Sequence, residues 1–404
     1  MRAWLSLAPA AMLLAQAPAT KYDEASVPAY TLPALVGANV PDAKAWEAHR
    51  RPEIFRLLET QMFGRVPATT PKVEMGVASV DKRALDGKAI RKQITLTMNG
   101  KPVHLLVYLP AKAKGSVPVF VGLNFPGNHA IHKDPGIVLP DVWNRKNAKQ
   151  PATDAQRGSS ASQWPVETIL EHGYGLATVY YEEIEPDFDG GIEYGIRAGT
   201  KPAADEWNAI GVWAWGLSRV ADYLVTDKDV DSKRLIVMGH SRLGKTALWA
   251  GAVDQRFAMV ISNDSGEGGA ALSRREIGER VGDLNRRFPH WFCANYKQYS
   301  DRESEMPFDS HMLLALTAPR PLYVASADED KWADPRGEFL GAVSASVAWA
   351  FYGKKGIGTD RMPDIHQPVG EYVRFHVRAG KHDVTGYDWQ QYIAFASQKL
   401  MDKH

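Results

Sequence analysis

The segment RLIVMGHSRLGKTALWAG, residues 234–251, has the pattern that most clearly indicates the fold of the chain. The apolar run Leu235–Met238 predicts a buried strand, and the residues after the turn favour a helix. Between them lies the spacing G-x-S-x-x-G, in which a strained turn lifts a serine hydroxyl above the sheet. Gly239 and Gly244 suit this turn because a side chain at either position would collide with the strand or the helix. A glycine-flanked serine can also lie in an ordinary turn, but the flanking pattern predicts that Ser241 is a nucleophile.

The helix that follows Ser241 adds a second chemical feature. The N-terminus of a helix carries partial positive charge, so it stabilises a negative charge that develops beside it. The backbone N–H of Arg242 is placed to donate a hydrogen bond to such an oxyanion. We therefore expect Arg242 to belong to the same site as Ser241.

Outward from this stretch, short apolar runs alternate with helical patterns along most of the chain. Repeated strand-helix units with right-handed crossovers build a parallel sheet between two layers of helices. We predict an α/β fold, an α/β-hydrolase three-layer sandwich with a mostly parallel central sheet. Predicted strands lie near Val103–Leu109, Val117–Val121, Leu176–Tyr180, Leu235–Met238, Met259–Ser262, Leu322–Ala325 and Tyr372–Val377, and predicted helices near Trp46–Met62, Trp213–Tyr223, Ala342–Phe351 and from Leu243 onward.

Composition sets limits on partners and on domain number. With 404 residues, 45% hydrophobic and 24% charged, the chain can bury a large core without metal or disulfide support. The net charge of +1 gives no bulk attraction to nucleic acid or to an anionic membrane, so neither is expected as a partner. The single cysteine, Cys293, cannot form an intrachain disulfide. We predict one catalytic domain over residues 20–404, with an insertion near residues 266–309.

The segment 1–19 has the pattern of a secretory signal peptide. A basic start at Arg2 precedes an apolar stretch to Leu14, and Ala17 and Ala19 supply the small residues that signal peptidase prefers. A buried N-terminal helix is the alternative interpretation. No later segment is apolar for long enough to span a bilayer, so we expect a soluble protein that is secreted or periplasmic.

A serine hydroxyl becomes a strong nucleophile only when a histidine accepts its proton. His382 is the best candidate because it follows the strand at Tyr372–Val377 in a loop that Gly380 can turn back towards the serine. His376 alternates within that strand and is better explained as a strand histidine that packs there or faces solvent.

Two positions can supply the acid that orients His382. One is Asp330, in the loop after the strand at Leu322–Ala325, which is the usual place in the order serine, acid, histidine. The other is Asp264, which closes the preceding strand. Either carboxylate can also be a solvated loop residue or a local cap, so residue patterns alone leave the choice open.

Taken together, these segments resemble the glucuronoyl esterases of carbohydrate esterase family 15, in particular the bacterial members, over most of the chain. The resemblance implies an ester hydrolase that cleaves the bond between 4-O-methyl-glucuronic acid on xylan and a lignin alcohol. It also implies that this hydrolysis requires no metal or organic cofactor. It implies Ser241 as nucleophile, His382 as base and Arg242 as an oxyanion stabiliser. It favours Asp330 over Asp264 as the acid, since many bacterial members use that position. The segments that carry the resemblance are Gly239–Lys245, Asn263–Gly269, Asp330–Pro335, Gly380–His382 and the early loop Asn124–His129.

The resemblance also implies three residues that bind the uronate. Lys245, four residues after Ser241 on the same helix face, would reach sugar hydroxyls. Glu279 and Trp332 match positions that hold the sugar ring by a hydrogen bond and by apolar contact. A surface ion pair and simple packing are the alternative explanations for these two. The expected partners are glucuronoxylan and lignin-carbohydrate esters, and the expected state is a monomer.

The sequence is also compatible with two other functions. Another serine hydrolase on this fold, such as an acetyl xylan esterase or a peptidase, would use the same Ser241 and His382 but would give Lys245 no role. A carbohydrate-binding module without catalysis is the second alternative. A set with nucleophile, base and acid argues against it.

Overall fold

The computed structural model describes residues 18–37 and 40–401. Ten strands form one sheet in the order β1-β2-β3-β7-β4-β8-β9-β10-β12-β11, and β5 pairs with β6 in a separate hairpin. The strands are β1 (Val73–Arg83), β2 (Ala89–Met98), β3 (Lys101–Pro110), β4 (Val117–Asn124), β5 (Asp141–Trp143), β6 (Lys149–Pro151), β7 (Gly175–Tyr180), β8 (Val230–His240), β9 (Phe257–Asn263), β10 (Leu322–Ala327), β11 (Val369–Gly370) and β12 (Val373–Arg378).

Helices cover both faces of the sheet. Because side chains alternate along a strand, neighbouring residues of β8 enter different cores: Leu235 and Val237 join the larger hydrophobic cluster, and Ile236 and Met238 join the smaller one. The larger cluster takes residues from α2, α6, α7, α9 and α10, and the smaller one from α4 and α12. The helices are α1 (Ala43–Ala45), α2 (Arg51–Leu58), α3 (Ala84–Gly87), α4 (Val166–Glu171), α5 (Tyr181–Ile184), α6 (Ala209–Leu224), α7 (Arg242–Val253), α8 (Val281–Arg287), α9 (Ser310–Ala315), α10 (Pro335–Ala345), α11 (Val347–Ala350) and α12 (Gly386–Ala396).

The predicted fold class is confirmed. Strands β7, β4, β8, β9, β10 and β12 run parallel to one another, and antiparallel pairs occur only towards the two ends of the described sheet. The carboxyl ends of the parallel strands meet at one edge, where ligand sites form in open α/β sheets.

Several predicted boundaries differ from the structure. The predicted helix at Ala342–Phe351 is wrong as a single element, because α10 already begins at Pro335 and a separate short helix follows. The earlier start has a local cause: the Asp334 side chain accepts a hydrogen bond from the Gly337 N–H, and Pro335 occupies the first helical position. The signal peptide predicted for residues 1–19 lies, as far as residue 17, outside the described residues.

Within residues 18–37 and 40–401, no helix has the length and apolar character needed to cross a membrane.

Candidate active site

Strand β8 and helix α7 meet at the turn that holds Ser241. Its backbone adopts φ 58° and ψ −130°, a strained conformation for a residue with a side chain. The turn closes tightly, because a Cβ at position 239 would lie 1.9 Å from the carbonyl oxygen of Leu243. The Ser241 N–H donates to the carbonyl of Asn263 at 2.9 Å, which ties the turn to the end of β9. The predicted elbow geometry is therefore present.

Ser241 opens into a cleft of about 350 Å³ at the carboxyl edge of the sheet. All the residues predicted for the site line this one cleft, although they come from segments that are far apart in the sequence. The cleft also includes Arg287, Phe288 and Trp291, which the sequence did not single out. The predicted residues are Ser241, Arg242, Lys245, Asp264, Glu279, Asp330, Trp332 and His382.

His382 and Asp330 form a direct pair in this cleft. The Nδ1 atom of His382 lies 2.6 Å from Oδ2 of Asp330. The His382 side chain is 43% exposed, whereas the Asp330 side chain is 6% exposed. A buried carboxylate at Nδ1 fixes the tautomer that leaves Nε2 free to accept a proton, which is what a general base needs.

Asp264 lies close to this pair but its carboxylate is bound elsewhere. Its Oδ1 accepts the N–H of Ala327 at 2.8 Å, and its Oδ2 accepts from Nη2 of Arg378 at 3.3 Å. Burial raises the pKa of Asp264 well above its ordinary value, and the charge of Glu338 adds to this effect. Both carboxylate oxygens of Asp264 are therefore engaged by groups other than His382.

One atom each of Asp264, Asp330 and His382 would also be close enough together to bind a cation, since these atoms lie within 4.8 Å of one another. The donor set fits a metal poorly. Arg378 already brings positive charge to Asp264, and the Nδ1 of His382 is engaged by Asp330.

Arg242 is held by a residue that the sequence analysis missed. Its Nη1 forms an ion pair with Oδ2 of Asp187, a buried carboxylate that follows α5. Asp187 also accepts from Tyr181, His290 and Trp291, the last through Nε1 at 2.7 Å. Burial opposes ionisation of Asp187, but these donors and the Arg242 charge hold its pKa below the ordinary value.

Aromatic rings also pack against the guanidinium of Arg242. Its guanidinium carbon lies 4.8 Å from the ring centre of Trp291 and 5.4 Å from that of Phe288. Contacts of this kind favour a cation that is partly removed from water. The guanidinium is therefore fixed beside Ser241, and no sequence motif marks Asp187 beyond its place in an acidic loop at this edge of the sheet.

One part of the cleft wall, formed by Lys245, Glu279 and Trp332, is polar and largely buried. Nζ of Lys245 donates to the carbonyl of Ser265 at 2.8 Å and lies 3.4 Å from Oε2 of Glu279. The N–H of Glu279 donates to the carbonyl of Trp332 at 2.8 Å, which joins the segments that carry these two side chains. Arg287 lies over the half-buried ring of Trp332, 5.3 Å from its centre. Cation, carboxylate and ring thus form one surface suited to hydroxyls and the apolar face of a sugar.

Comparison with known proteins agrees with this geometry. Residues 203–353 match the family model described as glucuronyl esterase, fungi. A solved glucuronoyl esterase from Solibacter usitatus is 57% identical, with a TM-score of 0.90 over 94% of this chain and 100% of that one. A promiscuous esterase of carbohydrate esterase family 15 from a marine bacterial metagenome is 47% identical, with a TM-score of 0.88 over 95% of this chain and 100% of that one.

A third relative supports the same assignment over nearly the full length. It is a carbohydrate esterase from an unknown prokaryotic organism, 47% identical over 94% of this chain and 92% of its own length. Similarity of this extent covers both the elbow and the loops that supply the other site residues. The chain therefore belongs to the glucuronoyl esterases of carbohydrate esterase family 15, which are carboxylic ester hydrolases on the α/β-hydrolase fold.

Proposed function

We propose that this enzyme hydrolyses the ester between 4-O-methyl-glucuronic acid of glucuronoxylan and a lignin alcohol, with Ser241, His382 and Asp330 as its catalytic triad. The observation that supports this most strongly is the 2.6 Å contact between His382 and Asp330 in the cleft that also contains Ser241. The same cleft offers a lysine, a glutamate and a tryptophan, a combination that suits a sugar acid.

The reaction follows from the roles of these groups. Oγ of Ser241 attacks the ester carbonyl carbon while Nε2 of His382 accepts the hydroxyl proton, and the carbonyl oxygen becomes an oxyanion. The fixed positive charge of Arg242 and its backbone N–H at the start of α7 stabilise that oxyanion. Collapse of the intermediate breaks the bond to the alcohol, which leaves with the proton from His382.

A glucuronoyl-enzyme on Ser241 remains, and water completes the cycle. His382 removes a proton from the water as it attacks the acyl carbon, and the second intermediate then expels Oγ of Ser241, which takes that proton back from His382. The products are the uronate carboxylate, still attached to the xylan, and the resting serine. Asp330 stabilises the imidazolium through its hydrogen bond to Nδ1.

Specificity should reside in the acyl half, because the sugar carries the carbonyl that is attacked. Lys245 has three N–H donors, of which one binds Ser265 and one points towards Glu279, so a third is available to a hydroxyl of the sugar. A hydrogen-bonding wall of this kind rejects acyl groups that leave its buried polar atoms unpaired. An acetyl group offers no such partner.

The main alternative is another carbohydrate esterase, such as an acetyl xylan esterase. The test compares benzyl glucuronate with p-nitrophenyl acetate for the wild type and for Lys245→Met. We expect kcat/KM for the uronate ester to fall about 10-fold or more in the variant, because a hydrogen bond from a charged group is lost, while acetate turnover stays near the wild-type value. Unchanged uronate turnover in the variant, or cleavage of the acetate alone by the wild type, would favour the acetyl esterase.

We also propose that the protein is exported to the periplasm or the medium and acts there as a monomer. The signal-like pattern of segment 1–19 supports export. Expression in a Gram-negative host followed by N-terminal sequencing should give a chain that starts at Thr20 outside the cytoplasm. A chain that keeps Met1 and stays in the cytoplasm would contradict export. A dimer mass in solution scattering would contradict the monomer.

A further inference from the structure

His240 precedes the nucleophile, and the reaction described above gives it no role. Its ring centre lies 4.4 Å from that of His382, with 42° between the two planes. The ring of Phe125 meets His240 edge-on, with the centres 6.3 Å apart. The base is therefore not simply a loop side chain facing solvent, because one side of its ring lies against a second imidazole.

The hydrogen bonds around His240 determine its tautomer. Nδ1 of His240 lies 2.6 Å from Oδ1 of Asn263. The other end of that amide donates from Nδ2 to the hydroxyl of Tyr392 at 2.9 Å and to Oδ1 of Asp388 at 3.5 Å. Because a carboxylate only accepts, the amide oxygen faces the histidine. Nδ1 of His240 therefore carries the proton. Burial lowers the pKa of His240 to about 3, and the nearby His382 adds to this effect. The ring is therefore neutral at neutral pH.

His382 needs more than one contact to stay in place. Its side chain is 43% exposed, on the loop that follows β12, and its hydrogen bond to Asp330 holds only one ring nitrogen. A ring held at one atom can still tilt about that bond, which would move Nε2 away from Ser241. Errors of about 1 Å in such a position cost up to about 10²-fold in rate.

We propose that His240 is a positioning residue that fixes the plane of the His382 imidazole for proton transfer. Asn263 holds the His240 ring, and the ring in turn supports one face of the base. Because the His240 ring is neutral, it does not repel the imidazolium that forms on His382 during attack. This inference rests on the proposed function, since it takes His382 as the base of Ser241.

The test uses His240→Ala and His240→Phe beside the wild type and Ser241→Ala. For each protein, kcat and KM on benzyl glucuronate are measured, and active sites are counted with a serine-directed phosphonate. We expect His240→Ala to lower kcat per active site by about 10- to 100-fold with little change in KM. His240→Phe should recover part of this loss because it restores a flat ring beside the base.

A third variant removes the support of His240 without touching the base. Asn263→Ala should lower kcat less than His240→Ala does, and the double variant should be no worse than His240→Ala alone, because both changes act through one contact. Additive losses, equal losses in the Ala and Phe variants, or wild-type kcat per active site in His240→Ala would overturn the inference. If Ser241→Ala itself keeps activity, the proposed function fails as well. If Ser241→Ala is inactive, these results concern His240 alone.

Discussion

The two aspartates beside His382 differ in what already binds them. Oδ2 of Asp330 contacts Nδ1 of His382, whereas the Asp264 oxygens accept from Ala327 and Arg378. Residue types alone could not separate them, since both follow strands of the sheet at the same edge. The difference depends on Arg378, which lies 114 residues from Asp264 in the chain and reaches it only in the folded state.

Replacement of each aspartate by asparagine should separate their roles. We expect Asp330→Asn to lower kcat by about 10³-fold or more, because an amide at Nδ1 disfavours the reactive tautomer of His382. Asp264→Asn should lose far less. Steady-state kinetics on benzyl glucuronate check this order, and a larger loss in Asp264→Asn would assign the acid to that position.

Asp187 shows why the Arg242 anchor escaped the sequence analysis. It lies in the acidic segment EEIEPDFDG, residues 182–190, and has no spacing to the elbow that a motif could capture. Its importance comes from burial combined with several donors, and only the packing of α5 and the segment around His290 creates that arrangement.

Asp187→Asn should therefore affect both stability and rate. We expect the free energy of unfolding to fall by about 3 kcal/mol, since a buried ion pair loses one partner, and kcat to fall with it as Arg242 loses its anchor. Asp205→Asn is the matched control, because Asp205 also pairs with an arginine, Arg65, but both side chains are more than a third exposed. The control should change stability by less than about 1 kcal/mol. Equal effects in a urea titration would contradict this account.

Among the elements, helix α10 links the ends of β9 and β10, the strands that precede Asp264 and Asp330, through the side chain of Glu338. Oε1 of Glu338 accepts the N–H groups of Ser265 and Gly266 at 2.8 and 2.9 Å, after β9, and its other oxygen accepts from Ser326 in β10. Burial raises the pKa of Glu338 to about 7, although the donors from Ser326 and Gly266 act against it. The sequence predicted both strands but placed the start of this helix too late, so it missed the carboxylate between them.

This carboxylate predicts a pH dependence of stability. Between about pH 4.5, the ordinary pKa of a glutamate, and about pH 7, folded Glu338 keeps a proton that the unfolded chain has released. The contribution of protonated Glu338 to the free energy of unfolding is therefore complete below about pH 4.5. It falls by roughly 3 kcal/mol as the pH rises to about 7. Glu338→Gln mimics the protonated form and should lack this decline. Unfolding free energies from urea titrations across the range test the prediction, and parallel curves for the two proteins would contradict it.

At the scale of the whole molecule, the chain near its start supports a wall of the cleft. The carbonyl of Lys21 accepts the N–H of Gly278 at 2.8 Å, next to Glu279, and Glu24 pairs with Arg275 and Arg336. The apolar runs predicted the sheet and the class of fold, because burial on both faces leaves a local signature in each strand. This long-range contact leaves none, since its partners lie in opposite halves of the sequence.

Removal of this support should weaken substrate binding. A chain that starts at residue 27 should show a KM for benzyl glucuronate raised several-fold over a chain that starts at residue 20. Near Glu279, Gly278 loses the carbonyl of Lys21, and Arg275 loses Glu24 and keeps Asp334. Turnover of p-nitrophenyl acetate, which has no sugar for Glu279 to hold, is the internal control and should be unchanged. Equal KM values in the two chains would show that the segment has no influence on the site.

In the proposed reaction, Ser241 is the nucleophile that attacks a uronate ester. This role is tested by hydrolysis of benzyl glucuronate with the wild type, Ser241→Ala and, as a control, Ser232→Ala, a change at an exposed serine on the strand that leads to Ser241. We expect the wild type and the control to release benzyl alcohol, and the rate to fall by about 10³-fold or more in Ser241→Ala. Retained activity in a correctly folded Ser241→Ala protein would contradict it.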